Sequence, residues 1–90
     1  MATDAVIVRV MPTSPDANLE EIKRSSEKVV KKIGGSMHKI EEQPIAFGLK
    51  ALIIIIAWPE EKDPDVIETE LAKIKDVNSV EITDVRRARG

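Results

Sequence analysis

Residues 42–58 read EQPIAFGLKALIIIIAW and combine a chain reversal with the longest apolar run of the sequence. Pro44 ends one extended segment, because proline has no N–H to donate to a strand ladder. Gly48 supplies the backbone freedom that a tight reversal requires. The β-branched run over residues 49–57 predicts a strand covered on one face and shielded on the other. The stretch therefore predicts a β-hairpin with Phe47, the only phenylalanine of the chain, at its tip.

The composition predicts one small domain over residues 1–90, since a chain of this length buries only about 60–65% of its unfolded surface. Apolar residues make up 42% of the chain and aromatic residues only 2%, so the core is expected to be aliphatic. The absence of cysteine excludes disulfides and thiolate metal sites, and it fits a reducing, cytoplasmic compartment. A formal charge of −2 offers no general attraction to nucleic acid or anionic lipid. No apolar run reaches the roughly 20 residues that span a membrane.

The first half of the chain predicts a strand and a long helix. Residues 5–11 are rich in β-branched side chains and predict the strand, with its valines on one face. After a proline-containing loop, Asn18 is placed as a helix N-cap, with Glu21 in the capping-box position. Apolar residues at helical spacing predict that the helix runs to about residue 33. The expected buried stripe is Leu19, Ile22, Ser26, Val29, Val30 and Ile33.

Two further segments predict strands with polar outer surfaces. Residues 36–43 read SMHKIEEQ, which is polar enough for a protected edge strand. Strict alternation would place Met37, Lys39 and Glu41 on one face and His38, Ile40 and Glu42 on the other. Residues 77–85 predict the last strand, with Val80 and Ile82 inward, before the basic end of the chain.

A second helix is predicted between the last two strands. Asp63 or Asp65 can cap it, and Pro64 suits its first turn. Its expected apolar stripe is Val66, Ile67, Leu71 and Ile74, with Lys73 and Lys75 at its C-terminal end. The full order is then strand, helix, strand, strand, helix, strand, which predicts an α+β, ferredoxin-like fold. Right-handed crossovers would place both helices on one face of a four-stranded antiparallel sheet, with the first and third strands in its centre.

The residue types that catalysis and metal binding require are sparse. His38 is the only histidine, and without a second imidazole or a cysteine it cannot complete a usual zinc site. We expect it to be structural or to face solvent. The glutamate pairs at 41–42 and 60–61 favour solvation, because adjacent side chains of an extended segment point in opposite directions. Trp58, at a strand end, is expected to close the core. We therefore predict no enzyme activity, no metal and no cofactor.

Phe47 and Lys50 allow two interpretations from the residues alone. In one, the ring plugs the end of the sheet and the lysine keeps the strand soluble; in the other, both face a partner protein. The basic residues Arg86, Arg87 and Arg89 are similarly either a solvated end or a nucleic-acid tail. Sheet-type RNA binders stack bases on aromatic residues of the central strands, and this chain offers too few of them.

Three segments together resemble a known family. They are residues 39–52, reading KIEEQPIAFGLKAL, residues 8–12, reading VRVMP, and residues 80–87, reading VEITDVRR. Over essentially its whole length the chain is similar to the translation elongation factor 1-beta family, the archaeal form in particular. The eukaryotic relatives carry a similar domain at the end of a longer protein.

The resemblance implies guanine-nucleotide exchange on elongation factor 1-alpha, the GTPase that brings aminoacyl-tRNA to the ribosome. The family's hairpin aromatic, which enters a pocket of the GTPase, corresponds to Phe47, and the lysine beyond it corresponds to Lys50. A basic residue near the family's C-terminus is directed to the magnesium and phosphate site. Arg89 is the nearest match, but the eukaryotic pattern has lysine there, and arginine's wider fork differs from an ammonium. Arg86, Arg87 and Arg89 therefore share this assignment.

Three rival classes share the predicted topology. A small-molecule regulatory module would need a ligand-sized pocket at a dimer interface. An acylphosphatase-like enzyme would need an arginine-bearing phosphate loop after the first strand, and residues 12–15, reading PTSP, contain neither arginine nor glycine. An RNA binder would bind oligonucleotides with a salt-dependent affinity. The net negative charge of the chain argues against such binding.

Overall fold

The chain folds as a strand, a helix, two strands, a helix and a strand in the computed structural model, which describes residues 3–87. The elements are β1 (Thr3–Pro12), α1 (Leu19–Lys32), β2 (Ser36–Pro44), β3 (Lys50–Pro59), α2 (Asp65–Leu71) and β4 (Val77–Arg87). A single 3-10 turn, Ala46–Gly48, joins β2 to β3. The predicted βαββαβ order is thereby confirmed. Neither helix in the described range has the length and apolar character needed to cross a membrane.

The four strands form one antiparallel sheet in the order β2-β3-β1-β4. The most apolar strands, β1 and β3, lie in the centre, and the more polar β2 and β4 form the edges, as the sequence predicted. The α+β, ferredoxin-like architecture is confirmed. The two helices cover one face of the sheet, and the other face is open, with Ile7, Ile53 and Ile55 half-buried on it.

The core lies between the helices and the sheet. It is built from alternate residues of the central strands and the inner stripes of both helices: Val6, Val8, Val10, Ile22, Val30, Leu52, Ile54, Ile56, Trp58, Ile67 and Leu71. Trp58 is only 1% exposed, so it closes the core as predicted. Its indole Nε1 donates to the Lys62 carbonyl at 3.1 Å, and the Lys62 ammonium donates to the Ile33 carbonyl at 2.7 Å. These bonds join the end of β3 to the end of α1.

Helix α1 forms where the apolar spacing predicted it. The Asn18 side chain accepts a hydrogen bond from the Glu21 backbone N–H, which satisfies one of the free donors at the helix start. Ile22, Ser26 and Val30 are buried, and the rest of the predicted stripe packs against the core.

A bulge in β2 overturns the predicted alternation of that strand. Met37 pairs with Ile56, yet Lys39 pairs with the next residue, Ile55, so one extra residue is inserted at His38. The insertion changes the side-chain phase, and Met37 and Ile40 both pack against the core. His38 is solvent-exposed, in agreement with the sequence interpretation.

Helix α2 is shorter than predicted, but Ile67 and Leu71 of its predicted apolar stripe are buried and Ile74 packs against the core. It ends at Leu71, so Lys73 and Lys75 lie beyond it and do not form its C-terminal turn. Val66 is 42% exposed and does not belong to the buried stripe, because a seven-residue helix buries only one narrow side, here Ile67 and Leu71. Asp63 supplies the cap-like contact: its Oδ1 accepts from the Asp65 N–H at 2.9 Å.

Strand β4 is longer than the predicted range of residues 77–85. It continues to Arg87, with Ala5 opposite Arg86 and Asp4 opposite Arg87. These two arginines are therefore part of the sheet.

Candidate partner-binding surface

Phe47 is the most exposed large apolar side chain of residues 3–87, with 93% of its surface accessible. Its backbone has φ 63° and ψ 30°, in the left-handed region that bulky residues rarely occupy. Backbone strain of this kind costs of order 1–3 kcal/mol and persists where the surrounding structure imposes it, often at functional sites. The ring is thus held outward at the hairpin tip and is not folded under the sheet.

The turn around Phe47 is closed by hydrogen bonds across its base. The Ile45 N–H donates to the Leu49 carbonyl at 2.7 Å, and the Leu49 N–H donates to the Ala46 carbonyl at 3.3 Å. Gly48 follows with φ 75°, so the reversal needs its glycine, as predicted. Ile45 is 38% exposed beside the ring. The tip therefore presents a small apolar knob, residues 45–47, on a hydrogen-bonded base.

Lys50 lies at the start of β3, just below this tip. It shares a strand face with the buried Leu52, so it projects on the helix-covered side of the sheet. Its Nζ lies 3.8 Å from Glu42 Oε1, and its side chain is 53% exposed. The other Glu42 oxygen, Oε2, accepts from Lys23 Nζ at 2.8 Å. Glu42 therefore lies between a lysine of α1 and a lysine of β3.

The Glu42 carboxylate contacts both Lys23 and Lys50 at this end of the sheet. The hydrogen bond from Lys23 holds the pKa of Glu42 below its ordinary value of 4.5, and the same bond raises the pKa of Lys23. A carboxyl group whose pKa is lowered by folding stabilises the fold above its unfolded pKa and loses that contribution as the pH falls.

The Lys23–Glu42 pair yields a pH prediction. The wild-type chain is expected to have a higher Tm than Glu42→Gln at neutral pH, with the difference shrinking as the pH falls below 4.5. The comparison isolates Glu42, because the other carboxyl groups titrate in both proteins. Circular dichroism melts over a pH series measure it. A Tm difference that stays constant into strong acid would contradict the assigned ion pair.

The arginines lie at the opposite end of the sheet from Phe47. Arg86 lies opposite Ala5 on the open face, and its Nε donates to Asp84 at 2.8 Å, which lowers the pKa of that carboxyl. Arg87 points to the helix-covered face, where its Nη1 donates to Glu60 at 3.2 Å. Both side chains remain more than 70% exposed. The prediction for Arg89 falls outside the described residues.

The structure separates the predicted site residues into two groups. Phe47 and Lys50 share the hairpin end. Arg86 and Arg87 lie about 30 Å away, the length of a ten-residue strand such as β3. The longest dimension of the molecule is 41 Å. Sequence reasoning did not find Lys23, Glu42 or Glu60, because their contacts join residues 19 and 27 positions apart, beyond any local spacing pattern.

Comparisons with known proteins identify the family. Residues 5–88 match the EF-1 guanine nucleotide exchange domain. The chain belongs to the EF-1 guanine nucleotide exchange domain family. It is 46% identical over 81 residues to Elongation factor 1-beta of Methanobrevibacter smithii, covering 89% of this chain and 90% of that protein. It is 37% identical over 89 residues to Elongation factor 1-beta of Methanocaldococcus jannaschii, covering 98% and 100% respectively. The relatives are archaeal, in agreement with the resemblance noted from the residues.

Membership of the EF-1 exchange domain family supports a role in guanine-nucleotide exchange during translation elongation. It gives no support to a small-molecule regulatory module. The roles of Phe47, Lys50 and the arginines in partner binding remain predictions.

Proposed function

We propose that this chain, as a single exchange domain over residues 1–90, promotes GDP/GTP exchange on elongation factor 1-alpha in the cytoplasm. One observation carries the residue-level proposal: the Phe47 ring is 93% exposed on a strained turn. Because the exposed ring makes few contacts within its own chain, few contacts are lost when it enters a pocket of a partner. The strained turn also fixes its orientation before binding. Neither nucleic acid nor membrane contacts the chain directly in this proposal.

The energetics of the Phe47 contact suit an exchange factor. Weakening nucleotide binding roughly a thousandfold requires about 4 kcal/mol of preference for the nucleotide-free GTPase. Burying a phenyl side chain contributes roughly 1.5–3 kcal/mol. Phe47 therefore supplies a large share of the required free energy, and a basic contact supplies the remainder. A single rim charge would be too weak, since exposed ion pairs are worth only about 0–1 kcal/mol.

The arginine end acts at the nucleotide in this proposal. Mg²⁺ bridges the phosphate oxygens to a GTPase and orders its switch segments, so its displacement removes both a large local charge and that order. Arg86, Arg87 and Arg89 share the role of directing positive charge towards this site. Since Phe47 and Arg87 lie at opposite ends of the sheet, the GTPase must contact the chain at two separated places.

The chain makes and breaks no covalent bond in this mechanism and is not an enzyme in that sense. Exchange is a coupling free energy: a factor that binds the nucleotide-free GTPase more tightly than the GDP complex necessarily weakens GDP binding.

Thermodynamic reciprocity tests the proposal. The Kd of this chain for elongation factor 1-alpha is measured by titration calorimetry, once with nucleotide-free GTPase and once with saturating GDP and Mg²⁺. The Kd is expected to rise with GDP by the same factor by which the chain raises the Kd of GDP. Equal Kd values with and without GDP would contradict an exchange function.

A further inference from the structure

Glu42 joins three elements at the base of the hairpin. It lies near the end of β2, its Oε2 accepts from Lys23 of α1 at 2.8 Å, and its Oε1 lies 3.8 Å from Lys50 of β3. The Lys23 Nζ also lies 3.4 Å from Oε1 of Glu20, one turn earlier on α1, and this second contact helps to hold the lysine in place. The Glu42 and Lys23 side chains are 34% and 24% exposed, so both are partly shielded from water.

The two lysines contact Glu42 at different distances. Lys23 forms a short charge-assisted hydrogen bond, the stronger class of polar contact. The Lys50 ammonium lies beyond hydrogen-bond distance and keeps its three donors available, while the carboxylate still attracts it. Lys23 thus fixes the position of the Glu42 carboxylate. The carboxylate in turn attracts the Lys50 ammonium and orients its side chain, without forming a hydrogen bond to it.

We infer that Glu42 is a positioning residue for partner binding: fixed by Lys23, it orients the Lys50 ammonium beside the Phe47 tip. The inference rests on the proposed function, because it assigns Lys50 to the surface that contacts the GTPase. A free lysine side chain has many rotamers, and ordering it on binding costs free energy. Glu42 reduces this cost before the partner arrives.

The neighbouring residue provides a matched control. Glu41 carries the same side chain on the open face of the sheet, where it pairs with Lys39 at 2.7 Å and contacts neither Lys23 nor Lys50. Glu41→Gln and Glu42→Gln remove the same charge from adjacent positions of one strand. Any effect of net charge or of strand propensity is therefore common to both variants.

The test measures steady-state GDP exchange, with the GDP complex of elongation factor 1-alpha as the substrate. Glu42→Gln is expected to raise KM roughly two- to fivefold with kcat unchanged, the range of a half-exposed ion pair. Glu41→Gln is expected to leave both constants unchanged. Circular dichroism at the assay temperature verifies that each variant is folded. Equal KM values for the two variants, or a lower KM for Glu42→Gln, would overturn the inference.

A double-mutant cycle distinguishes positioning from general stabilisation. In a Lys50→Met background, Glu42→Gln is expected to have no further effect on KM, because the residue through which it acts is gone. A full effect in that background would assign Glu42 a structural role and overturn the inference. The exchange assay of the wild-type chain distinguishes failure of the proposed function from failure of this inference. If the proposed function is wrong, the wild-type chain itself does not stimulate exchange.

Discussion

Phe47→Ala is expected to lower kcat/KM for GDP exchange by roughly ten- to a hundredfold, the equivalent of losing one buried phenyl side chain. The fold is expected to be retained, because the ring is 93% exposed and packs against little of its own chain. Stopped-flow release of fluorescent GDP measures the rate, and thermal melting measures the fold.

Two further variants sharpen this prediction. Phe47→Gly is expected to be about 1 kcal/mol more stable than Phe47→Ala, because glycine has no Cβ to be strained at positive φ. Its exchange activity should be as low as that of Phe47→Ala. Val66→Ala, which trims an exposed apolar side chain of α2, should leave exchange at the wild-type rate. Normal exchange by folded Phe47→Ala would contradict the docking role of the ring.

The combined change of Arg86, Arg87 and Arg89 to glutamine is expected to lower kcat about tenfold or more, as for loss of a hydrogen bond to a charged group. KM should change less, because affinity depends mainly on the hairpin end. Substitution is preferable to truncation, since β4 pairs with β1 through Arg87 and deletion would also remove part of the sheet. Saturation kinetics separates the two constants.

The control for each single arginine substitution is Arg24→Gln, which also removes one positive charge, from an exposed position of α1. It should leave kcat unchanged. Single substitutions then identify which arginine acts at the nucleotide. A triple variant with wild-type kcat would show that this end of the sheet does not take part in exchange.

The fold could be predicted from the sequence where one periodicity dominates. The alternating valines of β1 and the isoleucine run of β3 are apolar enough for central strands, and Asn18 with Glu21 specifies the start of α1. The prediction of which side chains of β2 face the core was wrong, because tertiary packing determines the alternation of that strand. The bulge at His38 shifts β2 by one residue, and nothing local in the sequence specifies it.

The candidate site was predictable only in part. A lone phenylalanine beside a glycine turn indicated Phe47, but composition left its direction open, and its positive φ had no sequence signal. The cluster of Lys23, Glu42 and Lys50 joins residues distant in sequence, so only the folded chain brings it together. The separation of Phe47 from the arginines follows from sheet topology, which places the β2–β3 hairpin and the end of β4 at opposite ends.

The most direct measurement is the release of labelled GDP from elongation factor 1-alpha in excess unlabelled nucleotide, with and without this chain. We expect catalytic amounts of the chain to accelerate release many-fold, and we expect the acceleration to saturate with GTPase concentration. A release rate that does not change at any concentration of the folded chain would contradict this expectation.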